Sequence, residues 1–157
     1  MYYSMSSPNK LDSLDLELIS HIQKDARIQY RKLVEITGKS LGTVSNRIQK
    51  LVDSGVIKAW TIQIDAEKIG YDLTILINIQ IDVKFLDEVN THLSQIPELI
   101  AIYNVTGDYD ITAIARVKSR SHLDQVIHRI LETDHIQRTS SNVVLRTLKE
   151  DFRVYME

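Results

Sequence analysis

Apolar side chains recur at helical period over residues 11–55. In the stretch LDSLDLELISHIQKD, Leu14, Leu18 and Ile22 lie on one stripe of a helix. Asp12 or Ser13 stands where a helix N-cap is favoured, and acidic residues follow in the first turn. The chain is therefore predicted to begin its ordered part with an amphipathic helix.

Two more helices are predicted in this region. The stretch YRKLVEIT ends at Gly38, a natural helix stop, and LGTVSNRIQKLVD is opened by Ser40 and closed by Gly55. Two helices joined by a tight turn, the second with its own N-cap, fit the helix-turn-helix pattern. The apolar residues of the third helix gather on one face and are expected to be buried: Leu41, Val44, Ile48, Leu51 and Val52.

From Lys58 onward the period changes to two. LTILINIQIDV alternates apolar and polar residues, which indicates a half-buried strand. A helix around Val89 follows, then the strands LIAIYNVT and YDITAIARV, separated only by Gly107 and Asp108. A second helix, SRSHLDQVIHRILET, and a last strand in NVVLRTLK complete the order. This order predicts a ferredoxin-like βαββαβ sheet with helices on one face.

The predicted fold class is therefore α+β, with an N-terminal helix-turn-helix (winged-helix-like) domain and a C-terminal ferredoxin-like domain. VIKAWTIQIDAEKIG joins the two, and we expect a strand from Ile57 to Ile64 and then a short turn ending at Gly70. The predicted division is residues 1–57, a connecting segment 58–70 and residues 71–157. Leu76 would lie on the uncovered face of the sheet, where we expect a second subunit to pack.

Charge is distributed unevenly along the chain. The formal net charge is −2, but between Arg27 and Lys58 seven basic residues face only two acidic ones. A polyanion would bind here, because the local field matters more than the total charge. The third helix turns small polar, amide and basic side chains outward, and these suit contact with base edges in the major groove: Ser40, Gly42, Thr43, Ser45, Asn46, Arg47 and Lys50. Flanking cations are candidates for phosphate contacts: Arg27, Arg31, Lys32 and Lys39. The alternative is a three-helix bundle with a solvated outer face.

The stretch TGDYD, residues 106–110, is the second candidate site. Two carboxylates flank a tyrosine after a glycine, as in a catalytic acid pair, a metal site, a ligand-binding loop or the tip of a hairpin. As a hairpin, Gly107 and Asp108 predict a two-residue type II′ turn. No nucleophile arrangement or strong metal-ligand spacing accompanies the five histidines, so we expect neither a catalytic nor a metal site.

The chain resembles the Lrp/AsnC family of prokaryotic transcription regulators from Leu11 to about Lys149. The N-terminal similarity rests on Leu11-Asp12, Asp15, Asp25-Ala26-Arg27, Leu33, Ser40, Thr43-Val44, Arg47-Ile48, Leu51, Gly55-Val56-Ile57 and Trp60. Ile64-Asp65, Ile69-Gly70 and the TGDYD loop extend it into the C-terminal half. The chain departs from the family pattern at Ala59, at Ala66 and in TDHIQ, where a Pro-Gly-Val is usual.

This resemblance implies a regulator that binds double-stranded DNA and responds to a small effector, typically a free amino acid. It also implies dimers through the C-terminal sheets and higher assemblies, for which we expect an octamer. An amino acid needs a carboxylate or carbonyls for its ammonium, and N–H or hydroxyl donors for its carboxylate. The candidate effector contacts are Thr106, Gly107, Asp108, Tyr109, Asp110, Thr139, Ser140 and Ser141.

Other classes of protein are less well supported. The absence of cysteine excludes disulfides. The N-terminus lacks the features of a secretory signal, and no apolar run approaches the ~20 residues of a membrane span. We expect a cytoplasmic regulator without a cofactor and without enzymatic activity. The rivals are an architectural DNA-binding protein that needs no effector, and a metabolic enzyme or enzyme-regulating subunit that uses the ferredoxin-like half.

Overall fold

The structure is a computed structural model that describes residues 11–156. Residues 1–10, which carry most of the argument against a secretory signal, and residue 157 lie outside the described residues. The described chain forms two compact units, one of residues 11–63 with 151–156 and the other Ile64–Glu150. Residues 151–156 thus group with the first unit, whereas the predicted C-terminal domain spans residues 71–157.

The first unit contains three helices, α1 (Ser13–Lys24), α2 (Tyr30–Thr37) and α3 (Leu41–Asp53). Asp12 caps α1 in a capping box with Asp15, in which each side chain accepts a backbone N–H of the other. Gly38 ends α2 in the left-handed region with φ 66°, where glycine is favoured. All three predicted helices are confirmed.

Apolar residues of the three helices pack into one core: Leu18, Ile22, Leu33, Val44 and Ile48. Leu41 was expected in this core but is 51% exposed. It is the first residue of α3, where the helix has only just begun, so the apolar stripe is buried only from Val44 onward.

The segment 57–64 forms no strand, and the prediction of one from Ile57 to Ile64 is wrong. Alternation alone does not make a strand, because backbone N–H and C=O groups must also pair with a neighbour. No strand lies in the described part of the first unit, and Ile62 in this segment is 75% exposed. The turn predicted to end at Gly70 is present as a 3₁₀ turn, Glu67–Ile69.

The second unit is a four-stranded antiparallel sheet with two helices. Its elements are β1 (Leu73–Ile81), α4 (Leu86–Leu93), β2 (Leu99–Asn104), β3 (Ile111–Val117), α5 (Arg120–Leu131) and β4 (Ile136–Val143). The strand order is β2-β3-β1-β4. Ile75, Ile77 and Ile79 on β1 are fully buried in the core that includes Val89 of α4 and Val126 of α5. The predicted α+β class with a ferredoxin-like βαββαβ half is confirmed.

The last strand was predicted too far along the chain. NVVLRTLK was expected to form it, whereas β4 spans Ile136–Val143 and pairs with β1. β4 is an edge strand with no buried residue, so its sequence, IQRTSSNV, lacks the apolar alternation by which strands are recognised. The stretch TSS therefore lies within the strand.

Candidate nucleic-acid interface and effector loop

The N-terminus of α3 is fixed by two hydroxyl side chains. Ser40 Oγ accepts a hydrogen bond from the backbone N–H of Thr43 at 3.1 Å and lies 2.9 Å from Thr43 Oγ1. This is the N-cap arrangement that starts a helix, and it holds both hydroxyls at the exposed tip of α3. A helix N-terminus with oriented N–H groups is also a favourable place for a phosphate.

The outer face of α3 carries most of the predicted base-reading residues. Gly42, Asn46 and Lys50 are exposed, whereas Thr43 and Ser45 are half-buried. The buried face of Val44, Ile48 and Leu51 lies opposite, as the helical period requires. The exposed side chains thus form one polar, cationic surface that points away from the core.

Arg47 differs from the other predicted contacts. Its Nη1 lies 2.8 Å from Asp12 Oδ2 and 3.1 Å from Asp15 Oδ2, so its guanidinium binds two carboxylates at the start of α1. Asp15 is only 7% exposed. The hydrogen bond to Asp12 and the charges of both aspartates raise the pKa of Arg47. In this structure Arg47 joins α3 to α1, which the sequence pattern did not indicate, because the partners lie 32 and 35 positions away.

The predicted phosphate contacts differ in their exposure and in how closely they pair with acidic neighbours. The side chain of Arg27 is 94% exposed, and its Nε lies 3.8 Å from Asp25 Oδ1. Arg31 and Lys39 are exposed. Lys32 Nζ binds Glu35 Oε2 at 2.9 Å, and this hydrogen bond raises the pKa of Lys32. All four residues precede α3 in sequence: Arg27 lies before α2, Arg31 and Lys32 lie in its first turn, and Lys39 lies between α2 and α3.

The TGDYD loop is longer than a two-residue turn, so that prediction is wrong. β2 and β3 pair up to Asn104 and Ile111, and the N–H of Val105 donates to the carbonyl of Asp110 at 2.9 Å. Thr106, Gly107, Asp108 and Tyr109 form the connection, with Gly107 at φ 120°. The first three are exposed at the end of the sheet.

Asp110 is occupied by bonds within the sheet. Its Oδ2 accepts the N–H of Ile81 at 2.9 Å, and its own N–H donates to the carbonyl of Ile79 at 3.1 Å. These bonds join the loop to the end of β1, where the register with β4 shifts. Because these bonds hold Asp110 beside β1, the connection between β2 and β3 contains the four residues 106–109. The two aspartates therefore differ: Asp110 is partly buried in the sheet and Asp108 is exposed.

The structure separates the three hydroxyl residues that were predicted to face this loop. In β4, Thr139 pairs with Ile79, Ser140 with Asn78 and Ser141 with Ile77. Because side chains alternate along a strand, Ser140 lies on the face opposite to Thr139 and Ser141. The residue of β4 that reaches the loop is Arg138, whose guanidinium lies 5.9 Å from the centre of the Tyr109 ring. Sequence reasoning missed Arg138, although its charge beside a hydroxyl run was visible.

The turn before β4 is built around His135. This residue has φ 70°, a left-handed conformation unusual without glycine, and its ring stacks on Phe85 with centroids 3.5 Å apart. Its carbonyl accepts the N–H of Asp82 at 3.0 Å. This turn is the segment TDHIQ that departs from the family pattern, and it lies at the same end of the sheet as the TGDYD loop.

The described residues contain neither a membrane-spanning helix nor a cluster of metal ligands. None of the helices in residues 11–156 has the length and apolar character needed to cross a bilayer. Across the same residues, no group of three or more His, Asp or Glu side chains is arranged to hold a metal ion.

Two family models match the chain. A model of the winged helix-turn-helix DNA-binding type matches residues 11–58. A model of the Lrp/AsnC ligand binding domain matches residues 74–154, which is more than half of the chain.

Several transcription regulators are similar to this chain over nearly their whole length. An uncharacterized HTH-type transcriptional regulator of Pyrococcus abyssi is 38% identical, with 92% of this chain and 98% of the relative covered. The regulatory protein AsnC of Haemophilus influenzae is 32% identical, with 90% and 99% covered. Among solved structures, E. coli AsnC has a TM-score of 0.83 at 27% identity, with 91% and 97% covered. A feast or famine regulatory protein from M. tuberculosis, complexed with L-methionine, has a TM-score of 0.84 at 28% identity, with 92% and 98% covered. The chain belongs to the Lrp/AsnC family of DNA-binding transcription regulators, with a helix-turn-helix domain and a ligand-binding domain.

Proposed function

We propose that this regulator reads a specific duplex with the exposed face of α3 and that a free amino acid modulates its DNA binding or assembly. The observation that carries the proposal is the exposure of Asn46 and Lys50 on one polar face, beside the capped N-terminus of α3. Asn can pair bidentately with adenine, and Lys can contact guanine or a phosphate. Arg31 and Lys39 would contact phosphates and so set the register on the duplex.

Arg47 has a different part in this proposal. Its guanidinium is shared between two carboxylates of α1, so reading a base would break these ion pairs. We assign it to holding α3 against α1, and we assign base contacts to Thr43, Asn46 and Lys50. Gly42 and Ser45 remain predicted contacts through close approach of the helix backbone to the duplex.

For the effector, the proposal rests on the TGDYD loop and on the relative that was solved with L-methionine. Asp108 is exposed and would bind the ammonium group. Exposed backbone at Thr106 and Gly107 would bind the carboxylate, and Tyr109 would contact the effector side chain. Asp110 would position the loop through its bonds to β1.

The assembly we propose is a homodimer that forms higher oligomers, up to an octamer. Leu76 is 38% exposed on the sheet face that does not carry the helices, and this is the face by which we propose that two copies meet. The proposal includes a cytoplasmic location, no cofactor and no enzymatic activity.

The DNA-binding half is tested by footprinting on duplexes selected from random sequence. Asn46→Ala with Lys50→Ala should abolish protection, while Lys24→Ala, an exposed lysine on α1, should keep it. Protection that survives the double substitution would contradict the assignment of α3.

The effector half is tested by calorimetric titration with the twenty amino acids. At least one amino acid should bind. Asp108→Ala should weaken the affinity for that amino acid by about tenfold or more, because a charge-assisted hydrogen bond is lost. Specific footprints with no heat from any amino acid would favour the architectural alternative.

A further inference from the structure

The second unit has an open cavity of about 390 Å³ at the end of the sheet opposite to the TGDYD loop. Its lining includes Tyr71 just before β1 and Arg116 near the end of β3, whereas the loop bonds to Ile79 and Ile81 at the far end of β1. The volume lies in the range of small-molecule sites. Apolar walls are supplied by Ile64, Ile69, Pro97 and Ile100.

Glu98 brings an anionic group to this cavity. Its Oε1 lies 2.7 Å from Arg129 Nη2 and 2.9 Å from His122 Nε2, so the carboxylate is held in one orientation. Its Oε2 is buried and has no hydrogen-bond partner in the part of the chain that the structure describes. The hydrogen bonds from Arg129 and His122 lower the pKa of Glu98 to about 2, so the group is charged at neutral pH.

Arg116 brings the complementary donor. Its Nη2 is paired with Glu150, which fixes the guanidinium, while its Nε is buried without an acceptor among the described residues. Buried polar atoms without a partner are uncommon, and each needs a physical explanation. Here one acceptor and one donor occur in two side chains that line the same apolar-walled cavity.

We propose that this cavity is a second amino-acid site, in which Glu98 binds the ammonium and Arg116 the carboxylate of an amino acid with an apolar side chain. The choice of an amino acid rests on the proposed function, but the site is distinct from the TGDYD loop. Ile64 and Ile69 would contact the apolar side chain. Both belong to the segment between Gln63 and β1, which includes the 3₁₀ turn Glu67–Ile69.

The experiment is a calorimetric titration of the full chain with L-methionine and two analogues. One analogue, 3-(methylthio)propylamine, lacks the carboxylate, and the other, 4-(methylthio)butanoate, lacks the ammonium. Each should bind this site about tenfold more weakly or worse, because one buried group then remains without a partner.

Variants separate this cavity from the loop. Ala66 lines the cavity, so Ala66→Leu should fill it and remove one binding component, and Glu98→Gln should weaken that same component. Ala59→Leu, the same change at an exposed position outside the lining, should titrate like the unmodified protein. Asp108→Ala should leave the cavity component in place and remove only the component assigned to the loop.

Three results would overturn the site. They are an absence of heat with L-methionine, an Ala66→Leu titration equal to that of Ala59→Leu, and equal affinity for L-methionine and both analogues. If Asp108→Ala alone removes all binding, the loop assignment stands and the cavity fails. If Ala66→Leu alone removes it, the loop assignment fails and the cavity stands.

Discussion

At the scale of single residues, ion pairs decide which charged side chains remain available to partners. Arg47 lies on α3, the helix that we propose reads DNA, yet its guanidinium binds Asp12 and Asp15 of α1. Helical period in the sequence predicted that Asn46 and Lys50 face outward, because position on a helix follows from spacing alone. The engagement of Arg47 could not be predicted in this way, since it depends on how α1 packs against α3.

Asp15 should be important for stability. Asp15→Asn should lower the free energy of unfolding by about 1 kcal/mol, because the hydrogen bond from the partly exposed Arg47 to this carboxylate loses its charge. Urea unfolding measures this, with Glu17→Gln as the matched control on an exposed part of α1. Equal effects of the two substitutions would show that the Arg47 contacts contribute nothing.

Glu98 should make stability depend on pH in the acid range. The hydrogen bond from Arg129 is the main cause that lowers the pKa of Glu98 from 4.5 to about 2. A lowered pKa stabilises the fold above pH 4.5, and this contribution is lost as the pH falls toward 2. Because solvent screens part of this interaction, Glu98→Gln should destabilise the protein at pH 6 by on the order of 1 kcal/mol, and by progressively less toward pH 2. Urea unfolding at several pH values gives the difference, and a difference independent of pH would contradict the assignment.

At the scale of elements, the sequence identified those whose apolar residues are periodic and buried. The helices α1, α3 and α5 and the strand β1 have such stripes and were predicted correctly. β4 was misplaced because an edge strand without buried side chains leaves no apolar alternation. Residues 57–64 alternate but do not pair, and pairing is a property of the fold that local sequence cannot specify.

The β2–β3 hairpin contains two aspartates with separate roles. Asp110→Ala should lower the free energy of unfolding by about 1–2 kcal/mol, because the N–H of Ile81 loses its acceptor. Asp108→Ala should leave stability unchanged, since Asp108 is exposed. Thermal or urea unfolding of both variants checks this contrast, and a larger loss of stability for Asp108→Ala than for Asp110→Ala would contradict the role of the Asp110–Ile81 hydrogen bond.

At the scale of the whole molecule, DNA affinity should depend on salt through the cations around α3. Lys39→Ala should reduce the magnitude of the slope of log affinity against log salt concentration by about 1. The variant would make one phosphate contact fewer, so its binding would release about one counterion fewer. Lys24→Ala should leave the slope unchanged. Fluorescence anisotropy between low and moderate salt measures both, and identical slopes for Lys39→Ala and the unmodified protein would remove Lys39 from the interface.

We propose that the exposed face of α3 reads the duplex while the ferredoxin-like unit adjusts the affinity. The most direct measurement is the ratio of affinities for a selected duplex and a scrambled one, for the unmodified protein and Asn46→Ala, with and without a bound amino acid. We expect Asn46→Ala to reduce this ratio about tenfold or more with an unchanged salt slope. If the ratio stays the same, α3 does not read the duplex through Asn46.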